Sequence, residues 1–217
     1  MEKSYWNSRW HKGKIGFHSS QADDALISWW PKISEGIDAN VLVPLCGKSP
    51  DLHFLAGLGH GVIGVEFIRQ ACAEFFEEAD IEPEIRQKGR IEIFESDPYK
   101  ILCGDWFHIS KKHTGNAKLL YDRAALVALP PEDRKTYMQH SLSVMPETCS
   151  MLIVTFEYDQ NVMSGPPFSV PPAEVMEGYG SAAEVELLET KDLIHDYEKF
   201  RNKGLDRFLK HVFWVRR

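Results

Sequence analysis

The chain has 217 residues, of which 43% are hydrophobic and 26% are charged, and it carries a formal net charge of −7. This length suits one α/β domain that buries roughly 70% of the surface its unfolded chain exposes, so that its core needs neither disulfides nor a metal ion. The negative charge excludes a broad nucleic-acid-binding face, and the lack of any run of about 18 apolar residues excludes a membrane span.

The cysteines indicate the redox environment of the protein. They are Cys46, Cys72, Cys103 and Cys149, and none of them forms a CxxC pair or lies close in sequence to a histidine with zinc-ligand spacing. We therefore expect no metal site and reduced, mostly buried thiols in a cytoplasmic protein.

The N-terminal segment has no clear secondary-structure period. Residues 1–19 combine aromatic, basic and glycine residues, and we expect an irregular lid segment that folds over a ligand. An irregular arm packed on a sheet is the alternative, and the residues leave it open. Residues 21–33 then place apolar side chains at helical spacing and predict the first helix.

From residue 40 onward, short apolar runs alternate with helical patterns. Strands are predicted at residues 41–43, 62–65, 91–94, 99–102, 119–121, 151–156, 185–188 and 208–215, and helices at 51–58, 68–76, 131–145, from 173, and at 191–203. This alternation predicts a doubly wound, mostly parallel sheet, and the last two strands suit an antiparallel edge. Since no linker or repeat interrupts the pattern, we expect residues 1–217 to form one domain.

Ligands of such sheets bind at the carboxyl ends of the strands, near the reversal of strand order. Gly47 lies in the turn between the first strand and the next helix, where a ligand can approach the backbone and the N–H groups of the helix N-terminus. Glu66 ends the second predicted strand, where a carboxylate suits the vicinal hydroxyls of a ribose. An ordinary turn and an ordinary surface glutamate remain the alternative.

The glycine pattern of this turn restricts the choice of cofactor. Gly47-Lys48-Ser49 looks like the end of a P-loop, but the position where that motif requires another glycine holds Leu42. The dinucleotide fingerprint needs three glycines where this turn has one, which disfavours a pyrophosphate. A cofactor with a ribose but no phosphate fits better, and S-adenosylmethionine is the commonest such ligand on this architecture.

Other strand ends supply further candidates. Asp105 is placed to accept a hydrogen bond from an adenine amino group, with Trp106 as an apolar flank, or the two are a loop acid and a core aromatic residue. Arg123 must find anionic or carbonyl partners if it is buried, so that it orients a substrate, contacts the cofactor or pairs with Asp122. Asp122 is a candidate proton acceptor through water, although a structural role is favoured.

Five segments, in the right order and spanning nearly the whole chain, resemble the thiopurine S-methyltransferases. They are Trp6-Asn-Ser-Arg-Trp10 with Gly13-Lys14 and Phe17-His18, Pro44-Leu-Cys-Gly-Lys48, Gly64-Val-Glu66, Asp122-Arg-Ala-Ala-Leu-Val-Ala128, and Gly165-Pro-Pro-Phe-Ser-Val170. The resemblance implies a Rossmann-like, class I S-adenosylmethionine-dependent methyltransferase that is monomeric and cytoplasmic. The chain looks like a bacterial member, and such relatives are associated with selenium and tellurium compounds as well as thiols.

The resemblance also implies roles for individual residues. Matched by motif, the cofactor contacts are Trp10, Leu45, Glu66 and Arg123, and the residues near the acceptor are Phe17 and the loop from Pro166 to Phe168. Where mammalian members have a second substrate-side arginine, this chain has Lys199, with Arg201 two residues later. Which of those two contacts the substrate stays open.

The implied reaction is a direct in-line transfer of a methyl group to a thiol. Free thiols have a pKa of about 8.5 and are partly ionised near neutral pH, so no dedicated general base is required. Arg123 would stabilise the thiolate. The alternatives are an S-adenosylmethionine-dependent O- or N-methyltransferase, a nucleotide-dependent oxidoreductase and a non-catalytic metalloid-binding protein.

Overall fold

The structure is a computed structural model that describes residues 3–15 and 19–217. Its α-helices are α1 (Lys3–His11), α2 (Asp24–Ile33), α3 (Asp51–Gly57), α4 (Arg69–Glu78), α5 (Lys111–Thr114), α6 (Pro131–Val144), α7 (Pro172–Gly180) and α8 (Glu198–Arg201). Its strands are β1 (Val41–Pro44), β2 (Val62–Glu66), β3 (Glu84–Lys88), β4 (Ile91–Ser96), β5 (Tyr99–Cys103), β6 (Leu119–Arg123), β7 (Ser150–Glu157), β8 (Glu184–Asp192) and β9 (Leu209–Arg216).

Within the described residues, these nine strands form one mixed sheet with the order β3-β4-β5-β2-β1-β6-β7-β9-β8. The central strands β5, β2, β1, β6 and β7 are parallel, which confirms the predicted α/β fold. Strand order reverses between β1 and β6, because β2 follows β1 on one side while β6 lies on the other. This reversal places the carboxyl ends of β1 and β6 side by side.

The central strands are buried on both faces, as their continuous apolar runs predict. Along β1, Val41 and Val43 pack into the hydrophobic cluster beneath α2, α3 and α4, whereas Leu42 packs into the cluster beneath α6 and α7. Full burial of one such side chain contributes roughly 1.5–3 kcal/mol. The strand ends are therefore held rigidly by packing on two sides.

Both edges of the sheet are antiparallel. β9 pairs antiparallel with β7 and with β8, as expected for the last two strands. At the other edge, β3 and β4 form a hairpin that was not predicted in full. The sequence pattern missed β3 because every residue from Glu84 to Lys88 is exposed, so that no apolar face marks it as a strand.

Two predicted segments are corrected by the structure. Residues 3–11, expected to be irregular, form helix α1, whose apolar residues lack a helical stripe because Trp10 is its only buried residue. Of the helix expected at 191–203, only α8 (Glu198–Arg201) is helical, because β8 continues to Asp192 and a turn follows it. No helix in the described part of the chain combines the length and apolar character that crossing a membrane requires.

Candidate active site

A cavity of about 540 Å³ opens where strand order reverses, above the carboxyl ends of β1, β2 and β6. Its floor comes from those strand ends, and α1, the loop at 165–167 and the region around α8 form its sides. The position agrees with the general rule for ligand sites in open α/β sheets. Its two ends are built from different residues.

One end is a clasp, a name we use for Leu45, Gly47 and Glu66. The backbone N–H of Gly47 donates to Glu66 Oε2 at 3.0 Å, and the N–H of Ile68 donates to Glu66 Oε1 at 2.7 Å. Leu45 and Gly47 both have left-handed backbone angles, with φ of 48° and 54°. A Cβ at position 47 would lie 3.3 Å from the ring of Trp10, so glycine suits this turn for two reasons.

The Glu66 carboxylate is unusual in its burial. Only 6% of the residue is exposed, and burial raises the pKa of its carboxyl to about 7, although the N–H groups of Ile68 and Gly47 counteract the rise. Each oxygen accepts one backbone hydrogen bond, and the N–H of Phe67 also lowers the pKa of the carboxyl. A carboxylate in this state can accept hydrogen bonds from two neighbouring hydroxyl groups.

Helix α1 covers the clasp. Trp10 is 4% exposed and packs in a small hydrophobic cluster with Ile68 and Ala71, and Trp6 packs against the same cluster. Lys3 Nζ, on the same helix, lies 3.0 Å from a carboxylate oxygen of Asp105. These contacts close one side of the cavity against water.

Arg123, the last residue of β6, lies at the centre of the cavity floor within a group of polar side chains. Its Nε is 3.5 Å from Asp23 Oδ2, and Asp51 Oδ1 accepts a 2.8 Å hydrogen bond from the N–H of Asp23. The hydroxyl of Tyr121 donates to Asp51 Oδ2 at 3.1 Å. Burial by itself would lower the pKa of the Arg123 guanidinium, but Tyr121, Asp51 and Asp23 raise it above its ordinary value. Arg123 therefore stays a cation in a largely buried position.

Asp122, the neighbour of Arg123, points to the other side of the sheet. It is completely buried, and its oxygens accept hydrogen bonds from the Tyr137 hydroxyl at 2.8 Å and from the Leu126 N–H at 3.1 Å. Burial raises the pKa of the Asp122 carboxyl to about 6, and the two hydrogen bonds limit the rise. These partners favour a structural role for Asp122, because they tie β6 to α6.

The other end of the cavity is an aromatic wall, which we define as Phe156, Tyr197, Phe200 and Phe208. The rings of Phe156 and Phe208 stack with centroids 4.9 Å apart, and those of Tyr197 and Phe200 stack at 5.1 Å. Lys199 Nζ lies 5.0 Å from the centroid of the Phe200 ring. The wall presents flat apolar surfaces with a cation at its edge, which suits a planar ligand.

The structure brings most of the predicted site residues together. The cavity is lined by Trp10, Leu45, Gly47, Glu66, Arg123, Pro166 and Lys199. Within the described residues, its lining does not include Asp105, Trp106, Asp122, Phe168 or Arg201. Phe17 lies outside the described residues.

The contacts of the residues outside the lining explain their positions. Asp105 caps a short helix by accepting from the Phe107 N–H at 3.1 Å, and Trp106 is 2% exposed in the hydrophobic core. Phe168 lies over the guanidinium of Arg134, 5.8 Å from ring centroid to Cζ. Arg201 Nη1 donates to the carbonyl oxygens of a turn, at 2.6 Å to His195 and 3.2 Å to Ile194. Lys199, not Arg201, faces the cavity.

Sequence reasoning missed the acidic partners of Arg123. Asp23 is the N-cap of α2, where it accepts from the Ala25 N–H at 2.9 Å, and Asp51 opens α3. Both fit the preference for aspartate at helix starts, which gave no reason to assign them to the site. Only the packing of α2 and α3 on one face of the sheet brings them to Arg123. Among the described residues, no group of three or more His, Cys, Asp or Glu side chains is arranged to hold a metal ion.

Comparison with known sequences finds relatives that match the full length of the chain. A sequence model described as Thiopurine S-methyltransferase (TPMT) matches residues 1–217. A Pseudomonas putida protein named thiopurine S-methyltransferase is 43% identical over 217 residues, which cover 100% of both chains. A protein of the same name from Azotobacter vinelandii is 40% identical over 217 residues, again covering 100% of both chains.

Solved structures with a similar fold are more distant in sequence. A Burkholderia thailandensis 1,6-didemethyltoxoflavin-N1-methyltransferase, crystallised with S-adenosylhomocysteine, has a TM-score of 0.62 at 14% identity, covering 99% of this chain and 86% of that chain. A SAM-dependent methyltransferase from Anabaena variabilis has a TM-score of 0.63 at 10% identity, covering 98% and 93%. These likenesses establish the class I methyltransferase fold.

Proposed function

The chain belongs to the thiopurine S-methyltransferase family, and we propose that it transfers the methyl group of S-adenosylmethionine to the sulfur of planar aromatic or heterocyclic thiols, thiopurines among them. The reaction class and the cofactor follow from family membership. The methyl acceptor and the roles of individual residues are proposals, and the geometry of the cavity supports them as follows.

The clasp is the observation that carries the proposal. The residues fit the cofactor, because Glu66 is a buried carboxylate that lines the cavity at a strand end, where the vicinal ribose hydroxyls would donate to its oxygens. The left-handed turn at Gly47 lets the ring of Trp10 pack directly against the backbone, and both residues line the cavity. Leu45 and Val43 offer apolar surface beside it.

The aromatic wall supports a planar acceptor. Its stacked rings line the same cavity as the clasp, together with Pro166 and Pro167. A flat heterocycle stacked on these rings would bury one of its faces against them. Lys199 at the edge favours acceptors that carry a negative charge, either as a thiolate or as a carboxylate substituent.

The residues of this chain mainly align and stabilise the reactants. The sulfonium of S-adenosylmethionine supplies an activated methyl group when bound. Holding a thiol in line with it is worth roughly 7–11 kcal/mol when the alignment is near ideal. Arg123 is the cation placed to stabilise a thiolate, with the Asp23 carboxylate 3.5 Å from its Nε and Asp51 holding Asp23 through the backbone N–H. We assign Asp122 to the positioning of β6 rather than to proton transfer.

Calorimetry with S-adenosylhomocysteine tests the cofactor site directly. We expect saturable one-to-one binding, and a protein that releases no heat with this ligand at any pH between 6 and 9 would contradict the proposal. A competition assay that offers a thiopurine, a small aliphatic thiol, selenite and tellurite then tests the acceptor. Mass spectrometry should find methylation mainly on the thiopurine sulfur.

The same assay separates the remaining alternatives. Methylation of selenium or tellurium species at comparable rates would extend the acceptor class, in line with the bacterial-type resemblance. Methylation of oxygen or nitrogen acceptors in place of sulfur would reject the thiol proposal, and cofactor binding without any methylated product would favour a non-catalytic protein. We also propose a monomeric, cytoplasmic protein, which size-exclusion chromatography with light scattering tests for its oligomeric state.

A further inference from the structure

Two thiols lie beside Glu66 at the carboxyl ends of β2 and β5. Cys103 is the last residue of β5, and its Cα is in register with that of Glu66, the last residue of β2. Cys72 lies on α4, with its Sγ 3.8 Å from the carbonyl oxygen of Glu66. Cys103 packs against the hydrophobic cluster that contains Cys72, and the two thiols interact electrostatically. The pair therefore connects the helix that follows β2 to the neighbouring strand, next to the clasp.

The two thiols differ in exposure and acidity. Cys103 is partly exposed, whereas Cys72 is completely buried. The neighbouring Cys72 thiol lowers the pKa of the Cys103 thiol, with help from Arg69 and against the effects of burial, Glu92 and Glu66. Interaction with Cys103, together with burial, raises the pKa of the Cys72 thiol. This asymmetry suits an attacking thiol with a resolving thiol behind it.

The other two cysteines lack these features. Burial raises the pKa of Cys149 to about 11, and it also raises the pKa of Cys46 above its usual range. Both are buried. Of the four cysteines, all of which are within the described residues, Cys103 is the one that combines partial exposure with a lowered pKa.

We propose that Cys103 and Cys72 form a site of thiol–disulfide exchange with small disulfides such as oxidised glutathione. The Cys103 thiolate attacks one sulfur of the small disulfide, which forms a mixed disulfide and releases the first small thiolate. Cys72 passes its proton to that thiolate and attacks the Cys103 sulfur, which releases the second small thiol. One small disulfide becomes two small thiols, while the two protein thiols are oxidised to a disulfide between α4 and β5.

The new bond would act on the clasp. Cys72 is in the first turns of α4, and the N–H of Ile68, immediately before that helix, donates to Glu66. Drawing α4 toward β5 displaces this donor and the carboxylate it holds. We expect the affinity for S-adenosylhomocysteine to fall about tenfold, which corresponds to one hydrogen bond to a charged group. This consequence rests on the proposed cofactor site, but the exchange reaction does not.

The experiment incubates the reduced full-length protein with oxidised glutathione and follows it by intact mass and peptide mapping. The expected product has lost two hydrogens and contains a Cys72–Cys103 linkage. Cys72→Ser should stop at the glutathione adduct on Cys103, and Cys103→Ser should stay unmodified. Cys149→Ser is the matched control, because it removes a buried thiol and should oxidise like the parent. Calorimetry with S-adenosylhomocysteine before oxidation, after it and after reduction with dithiothreitol measures the effect on the clasp.

Two results would overturn the inference. Glutathione-treated parent protein with all four thiols free, or with Cys46 or Cys149 linked instead, would reject the exchange site without any variant having to fold. A Cys72–Cys103 linkage that leaves the affinity for S-adenosylhomocysteine unchanged would reject the effect on the clasp. A reduced protein that fails to bind S-adenosylhomocysteine would count against the proposed function and leave the exchange chemistry to be judged from the mass data.

Discussion

The two ends of the cavity are built from different kinds of structure. The clasp uses backbone N–H groups and one carboxylate at the ends of parallel strands that are buried on both faces. The aromatic wall uses side chains from β7, α8 and the segment before β9, which lie toward the antiparallel edge of the sheet. Under the proposed assignment of the two ends, cofactor recognition depends on the sheet itself, whereas acceptor choice depends on side chains that can change without altering the fold.

Arg123 lies between these two ends. Strand β6 provides its backbone position, as for the clasp, but its guanidinium is oriented by Asp23 at the start of α2. Its environment thus combines sheet geometry with tertiary contacts. Substitutions at the clasp, at Arg123 and at the aromatic wall should therefore give losses of different kinds, of which those at the wall are the smallest.

The largest effect is expected at the clasp. Glu66→Ala removes the acceptor of two backbone N–H groups and of the cofactor hydroxyls, so we expect S-adenosylhomocysteine to bind about 100-fold more weakly or worse. Calorimetry measures the loss. Glu77→Gln, a change of an exposed glutamate on α4, serves as the control and should bind like the parent. Parent-like binding by Glu66→Ala would contradict the assignment of the clasp.

Arg123→Ala should affect turnover more than stability. Removing the cation that faces the thiolate should lower kcat/KM about 100-fold, the usual cost of one transition-state donor. Arg123→Lys should recover part of the activity, and Arg86→Ala, a change of an exposed arginine on β3, should leave it unchanged. Steady-state kinetics and thermal unfolding on the same preparations check this. A parent-like kcat/KM for Arg123→Ala would reject the role.

A pH series examines the clasp without any substitution. Because the pKa of Glu66 is about 7, only the ionised form accepts hydrogen bonds from both hydroxyls, and affinity should rise with pH. Binding should be about tenfold weaker near pH 6 than near pH 8.5, since one unit below the pKa leaves roughly one tenth of the carboxyl ionised. Glu66→Gln should flatten the profile; an unchanged slope in that variant would point to another group.

The stability of the ligand-free protein should show the opposite slope. The folded pKa of Glu66 lies above the ordinary 4.5, so the folded state holds this proton more tightly than the unfolded state does. Its contribution to the free energy of unfolding therefore decreases as pH rises from about 4.5 to about 7. Chemical denaturation of the parent and of Glu66→Gln over that range measures the difference between the two.

The smallest effect is expected at the edge of the aromatic wall. Lys199→Ala should raise KM about threefold for a thiol that carries a carboxylate and leave KM for a neutral thiol unchanged, the size expected of one exposed charge interaction. Arg201→Ala is the matched control, because its guanidinium is bonded to turn carbonyls outside the cavity lining. Equal changes for both acceptors would show that Lys199 does not discriminate by charge.

The alternation of apolar strands and helices was sufficient to predict the α/β fold and the strand ends at which the candidate cavity opens. Val41-Leu42-Val43 is apolar at every position because both faces of β1 are covered, and Gly47 and Glu66 follow strands whose ends must meet. By contrast, β3 and α1 escaped notice, since exposed charged residues and a helix with one buried side chain carry no periodic apolar signal. Asp105 and Trp106 also follow a strand, but Asp105 caps a short helix and Trp106 packs in the core, so that neither lines the cavity.

The sequence by itself determined the order of the strands and helices, the turn at Gly47 and the acid at Glu66, because these depend on neighbours in the chain and on a period of apolar residues. Only the tertiary structure decided which charges surround Arg123, that Lys199 rather than Arg201 lines the cavity, and that Cys72 meets Cys103. Asp23, Asp51 and Arg123 are distant in sequence and meet because α2 and α3 pack on the same face of the sheet. Such contacts depend on packing between elements, which no local pattern of residues encodes.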